Sequence, residues 1–265
     1  YAMVTAATGG FAPKSSLALF TPEVQYVIMF FCFVAGTNFT LLYASVSRRS
    51  VKMLFGSAEF KFYFWMVAGI SAFIAFELMW RNSYPLEHAI RSAVFHVVSF
   101  ITTTGLINDD AGKWPHVTWV ALAVCMFFGA CSGSTSGGLK CIRGVMLLKT
   151  VKNEVKKMLH PNAVLPMRID GVNVPTDKRL TLLSFLTVYS FTMIAAGIDS
   201  TNSITITLSC LGNVGPTLGL EIGPTMSWSI LPDYAKWICT ILMLIGRLEI
   251  FTVLVIFTPE FWKES

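Results

Sequence analysis

The sequence predicts an all-α integral membrane fold of repeated units, each a spanning helix, a re-entrant half-helix and a second spanning helix. Three observations predict it. Of 265 residues, 54% are hydrophobic and 13% charged, against about 25% charged in an ordinary soluble domain. The apolar residues collect in runs near the ~20 needed to cross a hydrocarbon core. Short Thr/Gly phrases recur between those runs: Ala7-Thr8-Gly9, Thr103-Thr104-Gly105 and Asn213-Val214-Gly215.

Taken in order, five runs qualify as spans: 22–45, 60–80, 117–148 with an interruption, 180–198 and 237–257. Stretches 86–100 and 199–211 are too short and too polar to span, and read as re-entrant half-helices. Tyr84-Pro85 opens the first, where proline suits the initial turn. Asp199, Ser200, Thr201 and Asn202 offer N-caps for the second. Arg48, Arg49, Lys52 and Lys61 fill one link between spans, and Lys149, Lys152, Lys156, Lys157, Arg168, Lys178 and Arg179 fill another. The positive-inside rule makes these links cytoplasmic and puts the Thr/Gly phrases toward the outer side. The net charge of +5 thus belongs to membrane flanks rather than to a nucleic-acid surface. Within 160–178, Ile169-Asp170-Gly171 predicts a cytoplasmic β-hairpin, since Asp-Gly is a strong turn signal. The organisation is then 1–47, a phrase and second helix of an incomplete repeat; 60–159, a complete repeat; 160–178, the hairpin link; and 179–265, a final repeat. The chain opens on a polar, Gly-containing phrase without a signal peptide. The reading is therefore that an N-terminal repeat is missing.

Non-helical backbone survives at membrane depth only where protein buries it or water reaches it. Thr/Gly breaks in register with a repeat point to a carbonyl-lined pathway, in which backbone oxygens replace the hydration shell of an alkali cation. Gly9, Gly105 and Gly215 are expected to take positive φ there. The competing account is that small residues ease helix packing. The interruption Gly129-Ala130-Cys131-Ser132-Gly133-Ser134-Thr135-Ser136-Gly137-Gly138 cannot hold a helix against lipid, at roughly 1 kcal/mol per Gly. It is read as a movable plug, with a packed kink as the alternative. Arg247 lies midway along 237–257. An unpaired Arg at that depth costs at least ~2.5 kcal/mol, and loop carbonyls are its expected partners, Glu249 being on another face. Lys140 is either part of the plug or an ordinary helix-end lysine.

Two enzyme signatures fail on spacing. A P-loop would need Lys directly after Gly138, where Leu139 stands. A Gly-x-Ser-Gly protease motif would need Gly in place of Ser134. The six cysteines show no CxxC spacing and read as small buried hydrophobes. The four histidines are scattered and carry no assigned chemistry. Asp109, Asp110, Glu221 and Asp233 read as solvated outer-loop carboxylates, or as groups that concentrate cations.

The phrases Ala7-Thr8-Gly9-Gly10-Phe11, Ser99-Phe100-Ile101-Thr102-Thr103-Thr104-Gly105 and Gly212-Asn213-Val214-Gly215-Pro216 resemble the second, third and fourth filter loops of the TrkH/KtrB family of potassium uptake proteins. The stretch from Gly129 to Lys140 resembles that family's intramembrane gating loop, and Arg247 the residue that borders it. The resemblance implies a pseudo-four-fold pore, of which this chain holds three walls, and K⁺ as the transported ion held by the filter residues. It also implies a multi-pass protein of the bacterial inner membrane, working as a homodimer with a TrkA-like cytoplasmic nucleotide-binding subunit. No organic cofactor, nucleic-acid partner or enzymatic activity is expected. The alternatives are a sodium-coupled or weakly selective cation transporter and, remotely, an intramembrane enzyme.

Overall fold

The computed structural model describes residues 1–12, 16–159, 167–173, 187, 201–218 and 228–248. The helices are α1 (Ala2–Ala6), α2 (Pro22–Ala35), α3 (Phe39–Ser47), α4 (Lys52–Gly56), α5 (Ala58–Asn82), α6 (Leu86–Ile101), α7 (His116–Phe127), α8 (Cys141–Leu159), α9 (Thr201–Gly212) and α10 (Asp233–Leu248). A short antiparallel hairpin joins β1 (Arg168–Ile169) to β2 (Val172–Asn173). Asp170 and Gly171 both take positive φ in its turn, at 50° and 83°, the backbone that an Asp-Gly hairpin turn needs.

Half-helix α6 is the centre of the packing. Ten successive residues, Phe95 to Thr104, are buried, so the end of this helix is enclosed on every side by protein. It packs between α2, α5 and α7, while α9 packs between α7 and α10. A polar network fixes its N-terminal part. Arg91 Nε donates to Glu87 Oε1 at 2.8 Å and Arg91 Nη1 to Gln25 Oε1 at 2.7 Å. Gln25 is itself buried, with its Nε2 donating to the Leu17 and Phe20 carbonyls at 3.1 and 3.0 Å, and its Oε1 also receives Asn108 Nδ2 at 2.9 Å. A lone glutamine in an apolar run was the one sequence signal of this network.

Among the described residues, α5 alone is long and apolar enough to cross a bilayer unaided. The run 22–45 is not the single straight span expected from its composition: α2 and α3 meet at a 101° bend. The cause lies in Gly36-Thr37-Asn38. Gly36 is packed so that a Cβ would come 2.6 Å from the Tyr63 hydroxyl and 2.7 Å from Thr102 Cγ2. Thr37 Oγ1 turns back to the Val34 carbonyl at 2.6 Å, and Asn38 Oδ1 caps α3 by accepting Leu41 N at 3.1 Å. Composition registers apolar length; the break is made by three small or polar residues within it. Run 117–148 is split into α7 and α8 by the expected interruption, and α8 extends to Leu159. Run 180–198 apart from residue 187, the end of run 237–257, Lys178, Arg179, Asp199, Ser200, Glu221, Glu249 and His160 lie outside the described residues.

The tight seat of Gly36 gives a test. Gly36→Ala should destabilise the protein by about 1–3 kcal/mol, the usual cost of overpacking, read as a lower melting temperature of detergent-solubilised protein. An unchanged melting temperature would mean that the bend yields freely.

Candidate functional site

Each Thr/Gly phrase follows the C-terminal end of a short helix, and the three reverse the chain with one backbone pattern. Thr8, Thr103 and Asn213 take left-handed φ of 50°, 54° and 54°. Their N–H groups donate three residues back, to Thr5, Phe100 and Cys210 carbonyls, at 3.3, 3.1 and 3.1 Å. The next N–H in each phrase donates five residues back: Gly9 to Val4, Thr104 to Ser99 and Val214 to Ser209, at 2.9, 2.9 and 3.0 Å. This is a Schellman-type helix end. The third position is a glycine at positive φ: Gly10 at 71°, Gly105 at 73° and Gly215 at 104°.

That pattern corrects the register of the first phrase. Gly10, not Gly9, stands with Gly105 and Gly215, and Thr8 stands with Thr103, which leaves Ala7 as the helix end matching Thr102. Matching Thr-Gly dipeptides aligned the letters, whereas the chain aligns on the residue in left-handed backbone. A threonine there is a sterically disfavoured choice, costing about 1–2 kcal/mol, and it persists only where neighbours over-determine it.

The neighbours are the other phrases. A Cβ on Gly10 would collide with the Thr104 carbonyl, and one on Gly105 with the Val214 carbonyl. The phrases therefore abut in series, glycine against carbonyl. Their residues Thr8, Gly9, Gly10, Thr103, Gly105, Asn213, Val214 and Gly215, with Ala7, line one cavity of about 850 Å³ that Met243 and Arg247 also border. Thr104 points away, its Oγ1 sharing a 2.8 Å hydrogen bond with Thr102 Oγ1. The half-helices end at the cavity, so their dipoles put partial negative charge toward it.

The interrupted stretch meets the second and third phrases and the end of α1 before the first. Gly137 N donates to Thr103 Oγ1 at 2.7 Å, Thr135 Oγ1 reaches the Ala6 carbonyl at 3.4 Å, and a Cβ on Gly137 would lie 2.7 Å from the Gly212 carbonyl oxygen. Its own ends are laced together: Gly129 N donates to Leu139 O at 2.6 Å and Cys141 N to Ala130 O at 3.0 Å. A Cβ on Gly129 would collide with the Gly137 carbonyl, and Gly133 and Gly138 take positive φ of 74° and 69°. Ser134 Oγ bonds the Cys131 carbonyl at 2.6 Å and Ser136 Oγ at 2.8 Å. The stretch also crosses to the α2–α3 bend, where Cys131 N donates to Gly36 O at 3.0 Å and Phe39 N to Gly133 O at 3.3 Å.

Arg247 Nη1 donates to the Thr135 carbonyl at 3.2 Å. Lys140 Nζ donates to the Ser136 carbonyl and, at 3.2 Å, to Ser136 Oγ, so this lysine folds back into the loop. Two cations thus bond adjacent residues of the stretch, Thr135 and Ser136. The six cysteines are all buried and free. His96 is buried against the Ser92 and Asp109 carbonyls, at 3.0 and 3.2 Å. The carboxylates Asp109, Asp110 and Asp233 are engaged locally: Asp109 Oδ2 accepts Trp114 Nε1 at 3.1 Å, Asp110 Oδ1 accepts Gly112 N at 3.1 Å, and Asp233 pairs with Lys236 at 3.1 Å. Among the described residues no group of three His, Cys, Asp or Glu is placed to hold a metal.

The chain is similar to proteins described as Trk system potassium uptake protein TrkH. It is 34% identical to that of Halomonas elongata over 269 residues, covering 98% of this chain and 55% of that protein. It is 33% identical to that of Escherichia coli K12 over 274 residues, covering all of this chain and 56% of that protein. The crystal structure of the potassium transporter TrkH from Vibrio parahaemolyticus superposes with a TM-score of 0.90 at 30% identity, over 98% of this chain and 57% of that one. The chain thus spans about half the length of these relatives. The family model described as TrkH, cation transport protein, matches residues 1–264, and the chain belongs to that family.

Proposed function

We propose that this chain forms three walls of a K⁺ uptake pathway, with the three phrases as its filter and the stretch 129–138 as its gate. The observation that carries the reading is the convergence of three identically built helix ends on one cavity, with the interrupted stretch and Arg247 beside it. K⁺ is weakly hydrated, and a ring of carbonyls offsets its dehydration without a formal charge. The dipoles of the half-helices add to the attraction. The relatives named as potassium uptake proteins support the choice of ion. The pathway runs through a multi-pass protein of the bacterial inner membrane, with pseudo-four-fold repeats and a wall supplied by residues beyond these three phrases. It acts as a homodimer regulated by a TrkA-like cytoplasmic subunit. The unequal side chains of the phrases, Thr103-Thr104 against Asn213-Val214, favour looser selectivity than four identical walls would give.

Gly105→Ala in the full-length protein places a Cβ against the Val214 carbonyl and strains a positive φ. It should cut K⁺ uptake at least tenfold, or lower its preference over Na⁺, as measured by ⁸⁶Rb⁺ flux with Na⁺ competition in proteoliposomes. Wild-type flux and preference would sink the filter assignment.

Shortening 129–138 should raise basal ⁸⁶Rb⁺ flux in the absence of regulatory subunits. Arg247→Gln should raise it as well, since it removes a bond to the Thr135 carbonyl and a fixed positive charge that repels the cation in a low-dielectric path. Both act on one barrier, so the double variant should gain less than the sum. Normal flux in a folded loop-shortened protein would make the stretch a packed kink.

A further inference from the structure

Glu59 lies in the first turn of α5 and is buried at 6% exposure. Its Oε1 accepts two backbone N–H groups, Ser132 at 2.5 Å and Ile142 at 3.1 Å. Those groups belong to opposite ends of the interruption. Ser132 stands early in the stretch, and Ile142 is in the first turn of α8, just after it. One carboxylate oxygen therefore draws both ends onto α5.

The chemistry makes this tie stronger than its neighbours. The first N–H groups of a helix have no partner within the helix, and Glu59 supplies one for α8 with the charge that a helix N-terminus favours. Hydrogen bonds to an ionised acceptor are roughly twice as strong as neutral ones. The stretch's contacts to Gly36, Phe39 and Thr103 described above are neutral. Lys140, which bonds within the stretch, also interacts electrostatically with Glu59. A buried carboxylate stripped of its donors is costly, so separating either end from α5 is resisted from both partners.

We infer that Glu59 is a positioning residue that clasps the gating stretch in its closed position. It does so without touching the cavity, since it is not among the cavity's lining residues. The inference rests on reading 129–138 as a gate. A second carboxylate provides an internal control. Asp170, in the hairpin turn, caps the same end of α5 by accepting Ala58 N at 2.8 Å and Ser57 Oγ at 3.4 Å, but it makes no bond to the stretch.

The test uses the full-length protein in proteoliposomes without regulatory subunits. Glu59→Ala removes both charged hydrogen bonds, and since losing even one is worth roughly tenfold, it should raise basal ⁸⁶Rb⁺ flux at least roughly tenfold, with the K⁺ over Na⁺ preference unchanged. Glu59→Gln keeps an oxygen acceptor and should return flux most of the way to wild type. Asp170→Ala should leave flux at the wild-type level. Glu59→Ala added to a shortened stretch should raise flux no further. Folded Glu59→Ala with wild-type flux would overturn the clasp. So would an equal rise in Asp170→Ala, because the effect would then come from loosening the helix end. If Glu59→Ala does not fold, Glu59→Asp keeps the charge but withdraws the oxygen by one methylene; it too should raise flux, and wild-type flux there overturns the clasp. A shortened stretch without effect would remove the gate reading itself. A shortened stretch with raised flux beside a silent Glu59→Ala would remove the clasp alone.

Discussion

The structure depends on how a helix ends where water cannot reach its last carbonyls. Helices α6 and α9 stop at buried residues, where their final carbonyls would be left unpaired. Thr8, Thr103 and Asn213 take left-handed backbone so that the following N–H groups can fold back onto them. That reversal sends the chain away from the helix axis and, at Gly10 and Gly105, brings the glycine against a neighbouring phrase. The cavity is therefore a by-product of satisfying three helix ends. Backbone of the three phrases meets side chains such as Phe11, Leu17, Trp228 and Met243 in its lining.

The same rule governs the interruption. Between Gly129 and Gly138 the chain gives up helical bonding, so its N–H and C=O groups must find partners elsewhere. Some find each other across the neck at Gly129–Leu139 and Ala130–Cys141; others reach Gly36, Phe39, Thr103 and Glu59. Small residues permit this, because only glycine fits where Gly129 meets Gly137. A stretch held by individual bonds to its surroundings can be released by loosening those bonds, whereas a continuous helix has no comparable release.

Much of this was legible in the sequence. Half-helix α6, the split between α7 and α8, and the Asp170-Gly171 turn all came from local signals: a proline start, a glycine cluster, a turn dipeptide. The family resemblance rested on the phrases and on the stretch through Lys140. Three features were not legible, for different reasons. The first phrase was read one residue early because letters were matched where φ is what repeats. The α2–α3 bend was missed because Gly36, Thr37 and Asn38 disappear in a hydropathy average. Glu59 gave no signal, since its partners are backbone N–H groups more than seventy positions away, and backbone groups carry no sequence identity.

The distances along the chain also bear on how such a protein is made. The stretch 129–138 receives its anchors from both directions: backward to Gly36 and Glu59, and forward, 112 positions on, to Arg247. Helices enter the bilayer in order of synthesis, and contacts between remote parts of a chain form late. Arg247 emerges from the ribosome long after the stretch it bonds. Until it arrives, the stretch has its rear moorings but lacks its forward one. Completion of these contacts thereby waits on the synthesis of α10, and a chain cut short before it would hold its earlier helices around an unfinished centre.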